Sequence, residues 1–390
     1  MGSRCSGTGS TSGGCSPAVA EVIERAVAAA PPVLTGTDHV ELWVGNARQA
    51  AHYYGSTFGF DVIAYAGPET GLRDRASYVL EQGRVRLVLT APLHPEGELA
   101  AHVHRHGDGV RTIALRVEDA TAAFEGALAR GARAVEEPRT VEDSHGALRY
   151  AGIATFGDTV HRFVERDEYS GPHWPGYRAE RRPGGGVGLR HIDHTVGNVE
   201  LGAMDSWVDF YREVFGFHVF QEFDEQDIAT RYSALRSKVT RDQRTRITFP
   251  INEPAEGLRA SQIQEYLDYY GGAGVQHIAL HTDDIVESVF AMRERGVEFL
   301  TAPSAYYEEI ATRVREHGVS EDLDRLRELS VLVDFEDGGY LLQIFTRPVA
   351  DRPTLFFEVI QRKGAKGFGK GNFKALFEAI EREQAARGNL

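Results

Sequence analysis

The chain announces its helices and strands through the spacing of its apolar residues. In HIDHTVGNVELGAMDSWVDFYREVFGFHV, from His191, the residues Met204, Trp207, Phe210, Tyr211, Val214 and Phe215 recur three and four positions apart. That spacing predicts one helix with a single apolar stripe. The stretch GTDHVELWVGNARQAAHYYGSTFGFDV, from Gly36, has the same order. An Asp-His pair is followed by Val-Gly-Asn, an aromatic-rich helical pattern and a closing Phe-Gly-Phe. A second matching pair, GDGVRTIALRVEDATAAFEGALARGARAVEEP from Gly107 and GAGVQHIALHTDDIVESVFAMRERGVEFLTAP from Gly272, reads as strand, helix, strand. Gly131 and Gly296 stand where those helices should stop.

Two matches in the same order, at similar offsets, indicate that the chain is written twice. The copies meet at the Pro/Gly-rich RRPGGGVG, Arg181–Gly188. The expected organisation is a leader over 1–30, a first domain over 31–180, a linker over 181–190 and a second domain over 191–390. A short helix, Pro17–Ala30, is possible at the end of the leader. Near the C-terminus, Gly367, Gly369 and Gly371 form a flexible turn and Asn372 is an N-cap. Phe373, Leu376, Phe377 and Ile380 then make the stripe of a last helix, 372–387.

Composition narrows the function classes. Of the 390 residues 42% are hydrophobic, enough for a sizeable core. The formal net charge of −14 disfavours an electrostatic nucleic-acid or membrane binder. Cys5 and Cys15, both in the leader, are the only cysteines. The body therefore has no disulfide and no thiolate ligand, which fits a reducing cytoplasm. No stretch of the sequence approaches a membrane span.

Candidate chemistry centres on three residues. His194 and His277 lie at the starts of strand-like segments, HIDHTVGNV and GVQHIAL, about eighty residues apart. About eighty residues further on, PTLFFEVIQR places Glu358 inside an apolar strand. Alternation puts Thr354, Phe356, Glu358 and Ile360 on one face. A charge there is costly unless paired or bound to metal, so the readings are a buried salt bridge or a metal ligand. Two imidazoles and one carboxylate are the ligand set of non-haem iron(II), with open positions left for a chelating substrate and dioxygen. In the first copy His39 stands opposite His194 and Thr112 opposite His277, with Glu165 as the candidate third position. One metal site per chain is therefore expected, in the second half. The cluster His102, His104 and His106, before a Gly-rich turn, reads as a solvated loop.

The stretches IDHTVGNV, YSALRSKV, FPINEP, GGAGVQHIAL, YLLQIFTRP, PTLFFEVIQRKG and GFGKGNFKALFEAIEREQ occur in this order. Through them the chain, from about Gly36 onward, resembles the 4-hydroxyphenylpyruvate dioxygenase family of the vicinal oxygen chelate superfamily. The resemblance implies an α+β, glyoxalase-like fold of duplicated βαβββ modules, two open barrel-like halves and a C-terminal lid helix. It implies Fe(II) on His194, His277 and Glu358. The implied reaction takes 4-hydroxyphenylpyruvate and O2 to homogentisate and CO2, within tyrosine and phenylalanine catabolism. It also implies a substrate shell of Ser237, Asn252, Gln262, Gln276, Gln343, Phe345, Phe368, Asn372 and Phe373, and a homodimer or homotetramer. Gln276 adjoins His277, so strict alternation would turn it away and a β-bulge is required. A 4-hydroxymandelate synthase is the nearest rival; Pro250, Asn252 and Phe373 favour the homogentisate side. A ring-cleaving dioxygenase would need no keto-acid shell, and a metal-free binding module would not need all three ligands.

Overall fold

The computed structural model describes residues 30–224, 234–244, 247–255, 257, 259–336 and 338–389, without the side chains of Phe373 and Lys374. Apart from Ala30, the expected leader and its helix lie outside the described residues. The first half runs β1 (Leu34–Trp43), α1 (Ala47–Thr57), β2 (Asp61–Ala66), β3 (Arg75–Gln82), β4 (Val85–Pro92) and α2 (Glu98–His106). It continues with β5 (Gly109–Val117), α3 (Ala120–Ala129), β6 (Ala134–Asp143), β7 (Gly146–Ala154), β8 (Val160–Glu165) and β9 (Arg178–Arg182). The second half repeats the series: β10 (Leu189–Asn198), α4 (Met204–Phe215), β11 (His218–Phe223), β12 (Ala234–Arg241), β13 (Thr248–Ala255), α5 (Gln262–Tyr270), β14 (Gly274–Thr282) and α6 (Ile285–Glu294). Here two further helices, α7 (Ser304–Glu316) and α8 (Leu323–Leu329), precede β15 (Leu332–Glu336), β16 (Gly339–Phe345), β17 (Phe356–Lys363) and α9 (Phe373–Ala386).

Each half is thus two βαβββ modules joined by a short helix. The strand orders are β6-β7-β8-β5-β1-β4-β3-β2-β9 and β11-β12-β13-β10-β14-β17-β16-β15. Within a module the first and last strands pair in parallel, as β10 with β13 and β14 with β17. The two modules of a half join through antiparallel first strands, β1 with β5 and β10 with β14. The chain is α+β and has the duplicated glyoxalase architecture.

Local signals are duplicated too. Asp119 and Asp284 cap α3 and α6 by accepting from Ala122 N and Glu287 N. Gly131 and Gly296 follow those helices at φ +98° and +91°, a conformation that costs other residues more. Between the halves β9 ends at Arg182 and β10 begins at Leu189, so the chain crosses over 183–188. One apolar core is continuous through both halves. Phe357 of β17 lies 5.6 Å from the ring of Tyr54 and 5.1 Å from that of Phe58, both on or just after α1. Among the described residues no helix is long and apolar enough to cross a membrane.

Candidate metal centre

Sheet register brings three distant segments to one point. His194 of β10 pairs with Ala279 of β14, and Ala279 pairs with Glu358 of β17, so the three form a row across the sheet. Ala279, the middle member, has only a methyl side chain and leaves the space between its neighbours open. His277, two residues before Ala279 on β14, shares that face. His194 Nε2 is 3.2 Å and His277 Nε2 3.4 Å from Glu358 Oε2. All three residues are buried.

Two β-bulges set the imidazole orientations. Between the pairs Ile192–Leu280 and His194–Ala279, Asp193 is an extra residue on β10; between Val196–His277 and Gly197–Val275, Gln276 is an extra residue on β14. Each bulge turns the residue before a histidine toward that histidine, which strict alternation forbids. His194 Nδ1 donates to Asp193 Oδ1 at 2.8 Å, and His277 Nδ1 donates to Gln276 Oε1 at 3.0 Å. The bulge that Gln276 requires is therefore present. Arg362 grips Asp193 with two hydrogen bonds of 2.8 Å. Burial alone would raise the Asp193 carboxyl; Arg362 and His194 outweigh it and hold it well below the usual range. Sequence reasoning missed Asp193, Arg362 and Ala279. The Asp-His pair that opens both copies was the only available signal for the first.

The donor set fits a metal ion. With both Nδ1 atoms committed as donors, both Nε2 atoms present lone pairs to a carboxylate oxygen. Three electron-pair donors converge with no proton assigned between them, and a cation is what satisfies them. Ligand atoms held at roughly 2.1 Å and at right angles around one ion lie about 3 Å apart, close to the separations seen. Burial would raise the Glu358 carboxyl, but the two histidines lower it. Burial would lower His194, yet Glu358 and Asp193 raise it, whereas burial dominates at His277 and lowers it.

Aromatic rings wall the site. Phe356 stacks on His277 at 4.8 Å, Phe345 meets His277 edge-on at 5.9 Å, and Phe368 meets His194 edge-on at 5.0 Å. A pocket opens over the three ligands. Ser237, Asn252, Gln262, Gln276, Phe345 and Phe368 line it, with Leu376, Phe377 and Ile380 of α9 on one side. Ser237 and Asn252 are direct neighbours across β12 and β13.

Other expected residues sit elsewhere. Gln343 is buried and does not line this pocket; its side chain lies close against Gly369, which holds φ +76°. Asn372 precedes α9 but its side chain does not cap the helix. Instead its Oδ1 accepts a hydrogen bond of 2.7 Å from the Tyr306 hydroxyl. The side chain of Phe373 lies outside the described residues.

The first half carries the same scaffold without the full ligand set. His39 pairs with Ala114, and Ala114 with Arg162, so Arg162, not Glu165, stands where Glu358 does. Glu165 instead accepts from Ala120 N at the start of α3. His39 Nδ1 donates to Asp38 at 2.7 Å and Arg166 grips Asp38, repeating the Asp193 arrangement. A guanidinium replaces the third ligand, bound to Glu136 at 2.7 Å and to Glu41 at 3.3 Å. The first half has put a fixed cation where the second gathers metal ligands. The His102–His106 segment is also corrected: it is the helix α2, and His102 and His106 are buried.

Family models for the glyoxalase/bleomycin resistance protein/dioxygenase superfamily match residues 38–148 and 191–324. The two matches fall one on each half of the chain. Curated relatives narrow it. A 4-hydroxyphenylpyruvate dioxygenase of Aspergillus fumigatus is 47% identical over 91% of this chain and 94% of its own length. One from Dictyostelium discoideum is 47% identical over 92% of this chain and all of its own. One from Xenopus tropicalis is 48% identical over 90% and 92%. Among solved structures, a triply substituted 4-hydroxymandelate synthase from Streptomyces coelicolor matches with a TM-score of 0.81 at 35% identity, over 91% of this chain and 100% of that one. The chain belongs to the 4-hydroxyphenylpyruvate dioxygenase family.

Proposed function

We propose that the chain converts 4-hydroxyphenylpyruvate and O2 into homogentisate and CO2, with Fe(II) held by His194, His277 and Glu358. The reading places catalysis in the second domain, 191–390, and a structural role in the first, 31–180. The observation that carries it is the convergence of two Nε2 atoms on Glu358 Oε2 beneath a pocket walled by aromatic rings and amides. When bound, Fe(II) supplies chelation of the 2-oxo acid and the activation of O2 for decarboxylation and ring hydroxylation.

The chain's own groups do the rest. Asp193 and Gln276 hold both imidazoles with Nε2 toward the ligand cluster. Asn252 and Ser237 offer polar contacts to the substrate, and Gln262 offers one from the start of α5. Gln343, packed against Gly369, and Asn372, at the start of α9, complete the proposed substrate shell. Phe345 and Phe368, with Phe373 from the lid, pack against the aromatic ring and keep water out. The lid, 372–387, is expected to move for substrate entry. A homodimer or homotetramer is proposed on the family pattern alone.

The synthase reading draws on the 35% identical structure. It is disfavoured by the 45–48% identity to dioxygenases and by Pro250 and Asn252, both of which line the pocket. Loss of the carboxylate tests the ligand assignment. Glu358→Ala should abolish Fe(II)-dependent O2 uptake with 4-hydroxyphenylpyruvate while keeping the wild-type circular dichroism spectrum. Uptake equal to wild type would show that Glu358 is not a ligand.

A further inference from the structure

A second set of metal-ligand residues lies outside the pocket and plays no part in the proposed reaction. His102 and His106 are four residues apart on one face of α2, and the turn before β8 brings Asp158 to them. One ligand atom from each lies within 4.8 Å of the others. His106 Nδ1 is 2.6 Å from the backbone oxygen of Tyr270 and donates to it. In the neutral ring Nε2 is then a lone pair, yet it lies 2.9 Å from Asp158 Oδ2. Two electron-pair donors at that separation need a cation between them. His102 stands beside them, its ring 4.4 Å from that of His106. It is only 6% exposed, and its Nε2 has no hydrogen-bond partner among the described residues.

The duplication shows that packing does not demand imidazoles here. Counted back from the C-cap glycines Gly107 and Gly271, His102 and His106 occupy the places of Tyr266 and Tyr270 on α5. Those tyrosines stack on each other at 5.1 Å, and Tyr270 stacks on His106 at 4.3 Å. One helix of the pair fills these positions with ordinary aromatic packing. The other fills them with two nitrogen ligands and adds a carboxylate.

We propose that His102, His106 and Asp158 form a second metal site, taking a divalent transition-metal ion that prefers nitrogen and oxygen ligands, such as Zn²⁺. Histidines at i and i+4 on a helix, completed by a carboxylate from another segment, suit a tetrahedral ion with water in the fourth position. Neighbouring cations do not block it. Arg111 is matched by Glu98 at 2.5 Å. Arg105 reaches Asp158 only at 3.8 Å while donating to Gly271 O at 2.8 Å. Through Tyr270 the ion would brace the end of α5, whose first residue, Gln262, lines the pocket. Its role would be structural, joining the two halves.

The test uses the full chain with His277→Ala and Glu358→Ala, so that the pocket triad does not count. After chelator treatment and dialysis against micromolar Zn²⁺, mass spectrometry should find one Zn²⁺ per chain, and Zn²⁺ should raise the Tm. Adding His102→Gln should remove both effects. Adding Asp158→Asn, at a side chain 47% exposed and so tolerated by the fold, should weaken Zn²⁺ binding by at least about 10–100-fold. Circular dichroism checks that each variant is folded. No retained Zn²⁺ in the triad-deficient chain would overturn the proposal. Zn²⁺ bound equally well without His102 and with Asn at position 158 would overturn it as well.

Discussion

At the scale of single residues, the ligands were legible because few residue types can do their work. A carboxylate inside PTLFFEVIQR has few uses, and His277 stands out because the other copy has Thr112 there while keeping His39 opposite His194. Their supports were harder to read. Asp193 and Gln276 sit at bulges, and a bulge is one extra residue that a two-residue period does not reveal. Asp193→Asn should show what they contribute. It leaves Arg362 buried with a weaker partner and frees the His194 ring. We expect a loss of about 10–100-fold in Fe(II) affinity and of about 3–5 kcal/mol in stability. Anaerobic Fe(II) titration and urea unfolding measure the two. His161, in β8 of the first half, gives a separate pH dependence. Burial pushes its pKa down to about 4 from 6.5, and its Nε2 lies 2.8 Å from the Tyr211 hydroxyl. The unfolded state takes up the proton first, so stability falls as pH drops from about 6.5 toward 4, by roughly 3 kcal/mol from this group. In His161→Gln that part of the slope should disappear from unfolding curves taken across this range. An unchanged slope would mean that His161 is not held neutral.

At the scale of elements, the helices with one apolar stripe and the strands around the ligands followed from period alone. Three features did not. The helix α2 carries three histidines and an arginine in its last turns, so its pattern looks solvated although His102 and His106 face inward. The pair α7 and α8 is inserted in the fourth module, where no repeat of the first half predicts it. Strand β9 is polar because it is an edge strand, so no alternation marks it. The last helix α9, the proposed lid, was legible as a stripe, but not its fastening. Arg387 bonds Glu265 of α5 at 2.8 and 3.2 Å, and Glu265 is nearly fully buried. Arg387→Ala should loosen the lid at a cost of about 1–3 kcal/mol. Fe(II) binding should persist while less homogentisate is formed per O2 consumed, as product and oxygen assays on the same sample would reveal. Tight coupling in the variant would show that this end of the lid does not matter for excluding water.

At the scale of the molecule, duplication explains why one chain has two similar sites and only one set of ligands. The row His194–Ala279–Glu358 becomes His39–Ala114–Arg162, and a guanidinium paired with Glu136 and Glu41 takes the place of a ligand. The sequence told that Thr112 had replaced a histidine. It did not tell that Arg162 faced it, because parallel register between β5 and β8 is a property of pairing, not of either strand. The halves also share a core. Phe357 is fully buried against Tyr54 and Phe58 of the other half. Heating should therefore unfold both halves in one transition, followed together by Trp43 and Trp174 in the first half and Trp207 in the second. Phe357→Ala should cost about 3–5 kcal/mol and shift both signals equally; separate transitions would show that the halves fold independently. The central claim concerns the whole chain acting on one substrate. Its most direct test is to identify the product made from 4-hydroxyphenylpyruvate by the Fe(II)-loaded protein in air. The account predicts homogentisate, with one CO2 released per O2 consumed; 4-hydroxymandelate, or no hydroxylated product at all, would contradict it.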